Sequence, residues 1–202
     1  MRLTEAAGRL NSASGSDLPA LLFLTDHNRV PDPVAVARTL PAGSGVILRD
    51  YDDANRSDLA ARLAAVAGER NLTLLVGNDL DLARAVGADG VHYPEGVLPT
   101  ARPDGLTRPM LMTTAAHSAA ALERAAAAGA DAALLSPIFS TASHPETLPL
   151  GLRQFSALAA STPLPIYALG GVTNANAHQL LLSGAVGIAA IGALAELDRP
   201  EG

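Results

Sequence analysis

The sequence contains no cysteine, no lysine and no tryptophan, and it has only three Tyr and three Phe. Without cysteine, catalysis by a thiolate, a disulfide scaffold, zinc knuckles and iron–sulfur ligation are all excluded. Without lysine, a Schiff-base mechanism and a phosphate-binding loop of the Gly-Lys-Ser/Thr type are excluded as well. All 14 basic residues are therefore arginines. Because the chain is acidic overall, an anionic ligand has to be bound by a few nearby groups and not by a broad positively charged surface.

The charge balance and the hydropathy of the chain exclude several kinds of partner. The formal net charge is −6 at pH 7, whereas a nucleic-acid-binding surface needs clustered positive charge. No uncharged apolar run approaches the roughly 18 residues of a membrane span, and the first eight residues lack the apolar core of a signal peptide. We therefore expect a cytoplasmic protein that binds neither nucleic acid nor a membrane.

Eight short apolar runs recur along the chain, and polar residues or glycines follow most of them. None shows a clean alternation of apolar and polar residues, which is typical of strands covered on both faces, as in a parallel sheet. The runs predict strands at residues 21–24, 46–48, 74–76, 91, 110–112, 133–135, 166–169 and 188–191.

Helical patterns lie between most of these runs. Residues 58–69 place Leu59, Leu63 and Val66 at helical spacing, and residues 119–128 are almost all good helix formers. A weak Gly-Ala repeat closes three helices, since glycine suits the left-handed position after a helix. Alternating strands and helices predict an α/β fold, a short (β/α)8 barrel, with an open doubly wound sheet as the alternative.

The length of 202 residues fits one such domain. We assign residues 20–202 to a single barrel domain, preceded by an N-terminal extension, residues 1–19, that is a helix or a polar lead-in. Four prolines between residues 94 and 109 predict an irregular fourth crossover in which the helix is short or missing.

In a (β/α)8 barrel the active site lies at the C-terminal ends of the strands. Each polar residue there has both a structural and a functional interpretation: Asp79 suits the N-cap of a helix or a ligand contact, and His92 suits a structural hydrogen bond or a ligand contact. Arg49 is the one basic residue found directly at a strand end, with the ligand, Asp50 or Asp79 as its partner. The candidate residues at the strand ends are Arg49, Asn78, Asp79, His92, Thr141, Ser143 and His144.

Glycines follow the last two predicted strands. Gly170-Gly171 comes after the seventh strand, and Ile191-Gly192 comes after the eighth. Backbone amides at such turns can bind a phosphate without any basic side chain. We therefore expect a phosphate site at Gly170, Gly171, Ile191 and Gly192, while a tight turn capped by Asn174 remains the structural alternative.

Five short motifs follow one another along the chain: Leu22-Phe23-Leu24-Thr25-Asp26, Val76-Gly77-Asn78-Asp79, Gly87-Ala88-Asp89-Gly90-Val91-His92, Ser136-Pro137-Ile138-Phe139-Ser140-Thr141 and Ala168-Leu169-Gly170-Gly171-Val172-Thr173. Their order is that of the thiamine-phosphate synthase / TenI superfamily, and the sequence resembles a divergent member of it over about residues 20–195. The resemblance implies a role in thiamine biosynthesis and a small phosphate ester as ligand, of the thiazole phosphate class. It leaves open whether the protein is a homodimer.

A synthase of this superfamily joins a hydroxymethylpyrimidine pyrophosphate to a thiazole phosphate. The resemblance implies two basic residues after strand 2, of which only Arg49 is present, and two carboxylates for Mg²⁺, of which only Asp79 is present, since Val97 replaces the second. Glu95 is a candidate substitute ligand, and His144 replaces a lysine after strand 6. We therefore expect no required cofactor and at most weak Mg²⁺ binding at Asp79.

The tautomerase branch of the superfamily aromatises a thiazole carboxylate phosphate and uses a histidine after strand 5. The matching residue is His117, although Ala115 stands where the family has a serine. Imidazole can accept and return a proton near neutral pH. The resemblance therefore favours proton transfer with His117, Arg49 and His144 as catalytic residues. The alternatives are a genuine synthase, a non-catalytic phosphate-binding barrel and an unrelated phosphosugar isomerase.

Overall fold

The computed structural model describes residues 1–141 and 146–195. Eight strands alternate with helices along the chain. The strands are β1 Leu21–Leu24, β2 Gly45–Leu48, β3 Thr73–Gly77, β4 Gly90–Tyr93, β5 Leu111–Ala116, β6 Ala132–Leu135, β7 Ile166–Leu169 and β8 Gly187–Ala190. The α-helices are α1 Leu3–Ser14, α2 Pro33–Thr39, α3 Arg56–Arg70, α4 Leu80–Val86, α5 Ala119–Ala127, α6 Gly151–Ala160 and α7 Gly192–Ala195, and 3₁₀ segments span Glu95–Val97 and Ala177–Leu182.

Every strand pairs in parallel with its neighbours in sequence, and β1 pairs with β8, so the sheet is a closed barrel. Phe23 of β1, for example, lies opposite Val46 of β2 on one side and Ala190 of β8 on the other. This confirms the predicted (β/α)8 barrel and removes the open doubly wound alternative. All eight predicted strands are present, with boundaries that differ by a few residues.

Two apolar layers explain why no strand shows an alternating pattern. Leu22, Leu24 and Ile47 fill the barrel interior, together with residues such as Leu75, Leu134 and Tyr167. The intervening side chains point outward and pack under the helices, as Phe23 does with no exposed surface. Both faces of each strand are therefore buried, which is the arrangement that continuous apolar runs indicate.

Residues at the helix ends agree with the sequence pattern. The Asp79 carboxylate accepts a hydrogen bond from the Leu82 amide and caps α4, and the Ser118 hydroxyl accepts one from the Ala121 amide and caps α5. Gly87 and Gly129 follow these two helices at positive φ, as the Gly-Ala repeat predicts. The first turns of α4 and α5 are thus fixed by caps that follow β3 and β5, and both helices are followed by a glycine.

The fourth crossover is irregular, as predicted, because it contains only the 3₁₀ segment Glu95–Val97. Residues 1–19 contain α1, whose buried Leu3, Ala6, Ala7 and Leu10 pack toward β8 and the segment Ala177–Leu182. Helix α1 therefore covers the outside of the barrel next to β8 and β1. Among the described helices, none has the length and apolar character needed to cross a membrane.

Candidate active site

A cavity of about 590 Å³ opens among the residues that follow the strands. It brings together eight of the residues predicted from the sequence, contributed by the ends of β2 and β4 and by the segments after β5, β6, β7 and β8. They are Arg49, His92, His117, Thr141, Gly170, Gly171, Ile191 and Gly192. The mouth of the barrel therefore combines cationic, imidazole and glycine-rich elements in one volume large enough for a small ligand.

Two predicted residues do not line this cavity. Asn78 is exposed after β3 and has a left-handed backbone conformation. Its backbone N–H donates to the His92 carbonyl at 2.8 Å. Asp79 is turned to the N-terminus of α4 and to Arg56. The predicted residues Ser143 and His144 lie outside the described residues.

The glycine turns after β7 and β8 have the geometry that a backbone anion site needs. Gly170 and Gly171 have φ values of 96° and 68°, a region that favours glycine. The Asn176 side chain donates to the Gly171 carbonyl and accepts from the Thr173 amide, both at 2.8 Å, which braces the first turn. Among residues 1–141 and 146–195, no protein group accepts a hydrogen bond from the amides of Gly171 and Gly192.

The asparagine proposed as a cap of this turn has another function. Asn174 Oδ1 accepts a hydrogen bond from the Leu3 amide at 2.8 Å, so it ties α1 to the loop after β7. Asn176, two residues further on, is the residue that braces the glycine turn. The alternative with Asn174 as the cap is therefore wrong.

His92 is buried in the cavity wall at the end of β4. Its Nδ1 lies 2.9 Å from the Thr113 hydroxyl on β5. Burial, together with the positive charge of Arg49, lowers the pKa of His92 to about 3. His92 is therefore neutral at physiological pH. It both contacts the Thr113 hydroxyl and lines the cavity.

Two arginines line the cavity on the β1 and β2 side. Arg49 follows β2, Arg29 comes from the loop after β1, and the Asp26 carboxylate lies between them. Asp26 Oδ2 is 3.4 Å from Arg29 Nε and 3.9 Å from Arg49, so neither guanidinium forms a short bidentate pair with it. Both cations are about one third exposed and can contact an anionic ligand.

His117 lies after β5, across the mouth from these arginines. The Glu95 Oε2 atom is 2.7 Å from His117 Nδ1 and accepts the His117 backbone amide at 3.0 Å. Arg124 of α5 donates to the other oxygen, Oε1, at 2.7 Å. Because Nδ1 is bound to Glu95, Nε2 is the ring nitrogen that remains for a ligand in the cavity.

The carboxylates on the β3 and β4 side are bound to protein groups. Asp79 Oδ1 accepts the Leu82 amide at 2.8 Å, and Oδ2 accepts Arg56 Nη1 at 3.2 Å. Arg56 also donates to the Gly77 carbonyl and lies 5.7 Å from the centre of the Tyr51 ring. A guanidinium therefore neutralises the carboxylate that the resemblance assigns to a metal.

The donor set does not fit the Mg²⁺ that the resemblance implies. Mg²⁺ requires nearly octahedral oxygen coordination, usually with one or two free carboxylates. Asp79 is bound to Arg56, Glu95 is bound to His117 and Arg124, and the Val97 side chain has no atom that can bind a metal. No group of three or more His, Cys, Asp or Glu residues in the described part of the chain is arranged to hold a metal.

Asp50 stabilises the loop that carries Arg29. The carboxylate is buried and accepts the His27 amide at 2.8 Å, with His27 Nδ1 at 3.0 Å. Burial by itself raises the pKa of Asp50, but the hydrogen bonds from Thr25 and His27 outweigh it and hold the pKa below its usual range. The ends of β1 and β2 are therefore joined by an ionised carboxylate beside the cavity.

Sequence reasoning missed several residues of the site. Arg29 and Tyr51 line the cavity but stand three or more positions beyond their strands, and Ser140 and Thr173 line it as well. The contact of Glu95 with His117 was also missed, because these residues are 22 positions apart. Arg29 had a signal, since it follows the polar run Asp26-His27-Asn28 directly after β1.

Comparison with known proteins agrees with this architecture. The family model described as thiamine monophosphate synthase matches residues 21–194. A thiamine-phosphate synthase from Methanoculleus marisnigri is 36% identical over 165 residues, 79% of this chain and 78% of that protein. One from Salinispora arenicola is 33% identical over 198 residues, 92% of this chain and 93% of that protein.

A solved structure supports the fold independently. The thiamine phosphate pyrophosphorylase from Pyrococcus furiosus superposes with a TM-score of 0.74 at 24% identity, over 85% of this chain and 84% of that one. At this identity the superposition supports the barrel, and the family assignment comes from the sequence matches. The chain belongs to the thiamine monophosphate synthase family.

Proposed function

We propose that the protein acts in thiamine biosynthesis as a tautomerase that binds a thiazole phosphate and moves a proton with His117. The observation that carries the proposal is the composition of the cavity. It places His117, with Nε2 available, in one volume with two arginines and with two glycine amides that have no acceptor among the described residues. The carboxylate that a metal-dependent reaction would use lies outside that lining, bound to Arg56.

The phosphate of the ligand binds at the turns after β7 and β8 in this proposal. The amides of Gly171 and Gly192 supply hydrogen-bond donors, and at Gly192 the space that a Cβ would take is open. Gly192 starts α7, where first-turn amides have no partner within the helix. Because these donors are backbone groups, the site needs no lysine.

The carboxylate of a thiazole carboxylate phosphate binds near Arg49 and Arg29. Both guanidiniums line the cavity and have only long contacts with Asp26. An anion that accepts shorter hydrogen bonds from them is favoured over the existing contacts. Negative charge that develops on the ring as a proton leaves is stabilised by the same cations.

His117 carries out the proton transfer. Its Nε2 atom removes a proton from one position of the thiazole ring and the imidazolium returns a proton to another, so the ligand keeps its atoms and its charge. His92 does not compete for this role, because its pKa near 3 leaves it too weakly basic at neutral pH. The predicted contribution of His144 stays a prediction, since this residue lies outside the described residues.

A synthase reaction is the second candidate. It is favoured by the relatives, because proteins named thiamine-phosphate synthase match this chain over most of their own length. The two cavity arginines could hold a departing pyrophosphate in place of the missing basic residue. In this reaction Arg49, Thr141 and His144 carry the rate, since charge develops on a leaving group instead of a migrating proton.

Assays with both substrate sets, comparing His117→Ala with His144→Ala, test the proposal. A tautomerase converts the thiazole carboxylate phosphate, and its turnover falls in His117→Ala while ligand affinity is retained. A synthase forms thiamine phosphate from the two substrates and is more sensitive to His144→Ala. Wild-type protein that binds the thiazole phosphate but turns over neither set would support the non-catalytic barrel and overturn both candidates.

A further inference from the structure

Glu95 makes two contacts with His117 through a single oxygen. Oε2 lies 2.7 Å from the ring atom Nδ1 and 3.0 Å from the backbone nitrogen of the same residue. The ring contact fixes which nitrogen faces away from Glu95, and the backbone contact fixes where the residue stands. One carboxylate thereby constrains both the side chain and the main chain of His117.

The irregular fourth crossover makes this contact possible. Glu95 opens the 3₁₀ segment Glu95–Val97, which lies against β5, the strand that leads to His117. At most other crossovers of the barrel a longer helix follows the strand. The short segment instead leaves Glu95 close to the mouth, where it is about one quarter exposed.

Arg124 fixes the orientation of the carboxylate. It donates to Oε1 at 2.7 Å from the second turn of α5. With Oε1 held by Arg124, Oε2 is the oxygen directed to His117. Both Glu95 oxygens therefore have defined partners, and the three side chains form a chain from α5 to the cavity.

We infer that Glu95, held by Arg124, is the positioning residue that keeps the His117 proton on Nδ1 and the Nε2 lone pair directed to the ligand. A carboxylate that accepts from one nitrogen of a neutral imidazole sets the tautomer, so that the other nitrogen is an acceptor. A base that removes a proton needs that acceptor. The catalytic part of this inference rests on the proposed function, whereas the tautomer of His117 does not depend on which reaction the protein catalyses.

The contacts of Glu95 with His117 and Arg124 contribute little to the stability of the fold. The His117 and Arg124 side chains are 55% and 57% exposed, and exposed ion pairs of this kind contribute little to folding. A matched control is the Arg38–Glu69 pair, which has a 2.9 Å contact and similar exposure but lies outside the cavity lining. Loss of either pair should leave the thermal midpoint nearly unchanged.

The tautomer is tested first, by ¹⁵N NMR of the imidazole nitrogens at a pH where histidine is neutral, with the His117 signals assigned from a His117→Gln spectrum. We expect a proton on Nδ1 in the wild type and in Glu95→Gln, whose amide oxygen still accepts. In Glu95→Ala we expect a shift toward the Nε2–H form, with no change in Glu69→Ala. An Nε2–H tautomer in the wild type, or an unchanged His117 in Glu95→Ala, would overturn the inference.

Kinetics then tests the catalytic part in the same variants. We expect kcat for the tautomerase reaction to fall about tenfold in Glu95→Ala with KM within twofold, a fraction of the roughly 10²–10⁴-fold contribution of a positioned acid–base group. Glu95→Gln should recover most of the rate. An altered tautomer with an unchanged kcat would overturn the positioning function, whereas a wild type without activity would overturn the proposed function and leave the NMR result standing.

Discussion

The two sides of the cavity are built from different chemical groups. The backbone rim, defined as Gly170, Gly171, Ile191 and Gly192, follows β7 and β8 and offers amides. The side-chain rim, defined as Arg29, Arg49, His92 and His117, follows β1, β2, β4 and β5 and offers guanidinium and imidazole groups. The first depends on backbone amides and on the positive φ angles of Gly170 and Gly171, and the second depends on which neighbours each polar side chain has.

The difference shows which functions a substitution can remove. At Gly170 and Gly171 of the backbone rim, almost any side chain is a steric problem but no charge is involved. At the side-chain rim, a nearby partner can change the function of a residue without changing the residue, as Glu95 does for His117. We therefore expect affinity and turnover to separate between the two rims.

The largest expected effect is on turnover, at the side-chain rim. His117→Ala should lower kcat of the tautomerase reaction by roughly 10²–10⁴-fold, because the proton carrier is lost. Affinity for the thiazole phosphate, measured by calorimetry, should stay within a few fold, because the glycine amides and the arginines remain. A variant that loses affinity and rate together would show that His117 is a binding or structural residue.

The next effect is on affinity, at the backbone rim. In Gly171→Ala the new Cβ would lie 2.8 Å from the Phe139 Cβ, and the φ of 68° disfavours any side chain, so the turn has to move. Loss of a hydrogen bond to a charged phosphate should weaken binding of a phosphate ester by about tenfold to hundredfold. Gly171→Val should prevent binding.

Gly192→Ala is the control for this experiment, because a Cβ built there meets no atom within 4 Å and the backbone is not left-handed. It tests whether the space beside Gly192 is needed by the ligand or by the fold. Thermal unfolding of both variants separates lost affinity from lost folding. Undiminished affinity in Gly171→Val would contradict the phosphate site.

A smaller effect concerns the pH dependence of stability. The pKa of His92 is about 3 in the folded protein and near 6.5 in an unfolded chain, so below pH 6.5 the unfolded chain binds a proton that the folded protein does not. His92 therefore destabilises the folded state as the pH falls, by up to about 1.4 kcal/mol for each pH unit. Denaturant unfolding at several values between pH 6.5 and 4.5 should show a shallower pH dependence in His92→Gln than in the wild type. Equal slopes would mean that His92 is protonated in the folded protein.

The smallest expected effect is that of magnesium. Because Arg56 neutralises Asp79 and Val97 offers no donor, chelation with EDTA should change neither the affinity for the thiazole phosphate nor kcat by more than about twofold. Calorimetry should detect no stoichiometric Mg²⁺ binding to the free protein. Tight stoichiometric binding would favour the synthase reaction over the tautomerase reaction, and it would mean that Asp79 separates from Arg56 to bind the metal.

The barrel could be predicted because its signal is local. Each strand is a short apolar run and each helix has a repeated spacing or a cap, such as Asp79 before α4 and Ser118 before α5. The glycines after β7 and β8 also followed from position, since the C-terminal ends of barrel strands meet at one mouth. These predictions needed only the order of elements along the chain.

The partners of the site residues could not be predicted in the same way. The sequence identified Asp79 as a candidate ligand, but the Arg56 guanidinium that binds it lies 23 positions away. It identified His117 as a proton carrier and Glu95 as a candidate metal ligand, without showing that they contact each other. Side-chain contacts across strands depend on register and on loop paths, which no local pattern encodes.

The sequence by itself thus determined the fold, the absence of thiolate and lysine chemistry, and the position of a glycine-lined mouth. The tertiary structure decided which charges are compensated: Asp79 by Arg56, Glu95 by His117 and Arg124, and Asp26 by two arginines at longer range. The physical reason is that burial of apolar runs is specified by neighbours in the chain, whereas the charge state and orientation of a polar group depend on distances of a few ångströms between segments far apart in sequence.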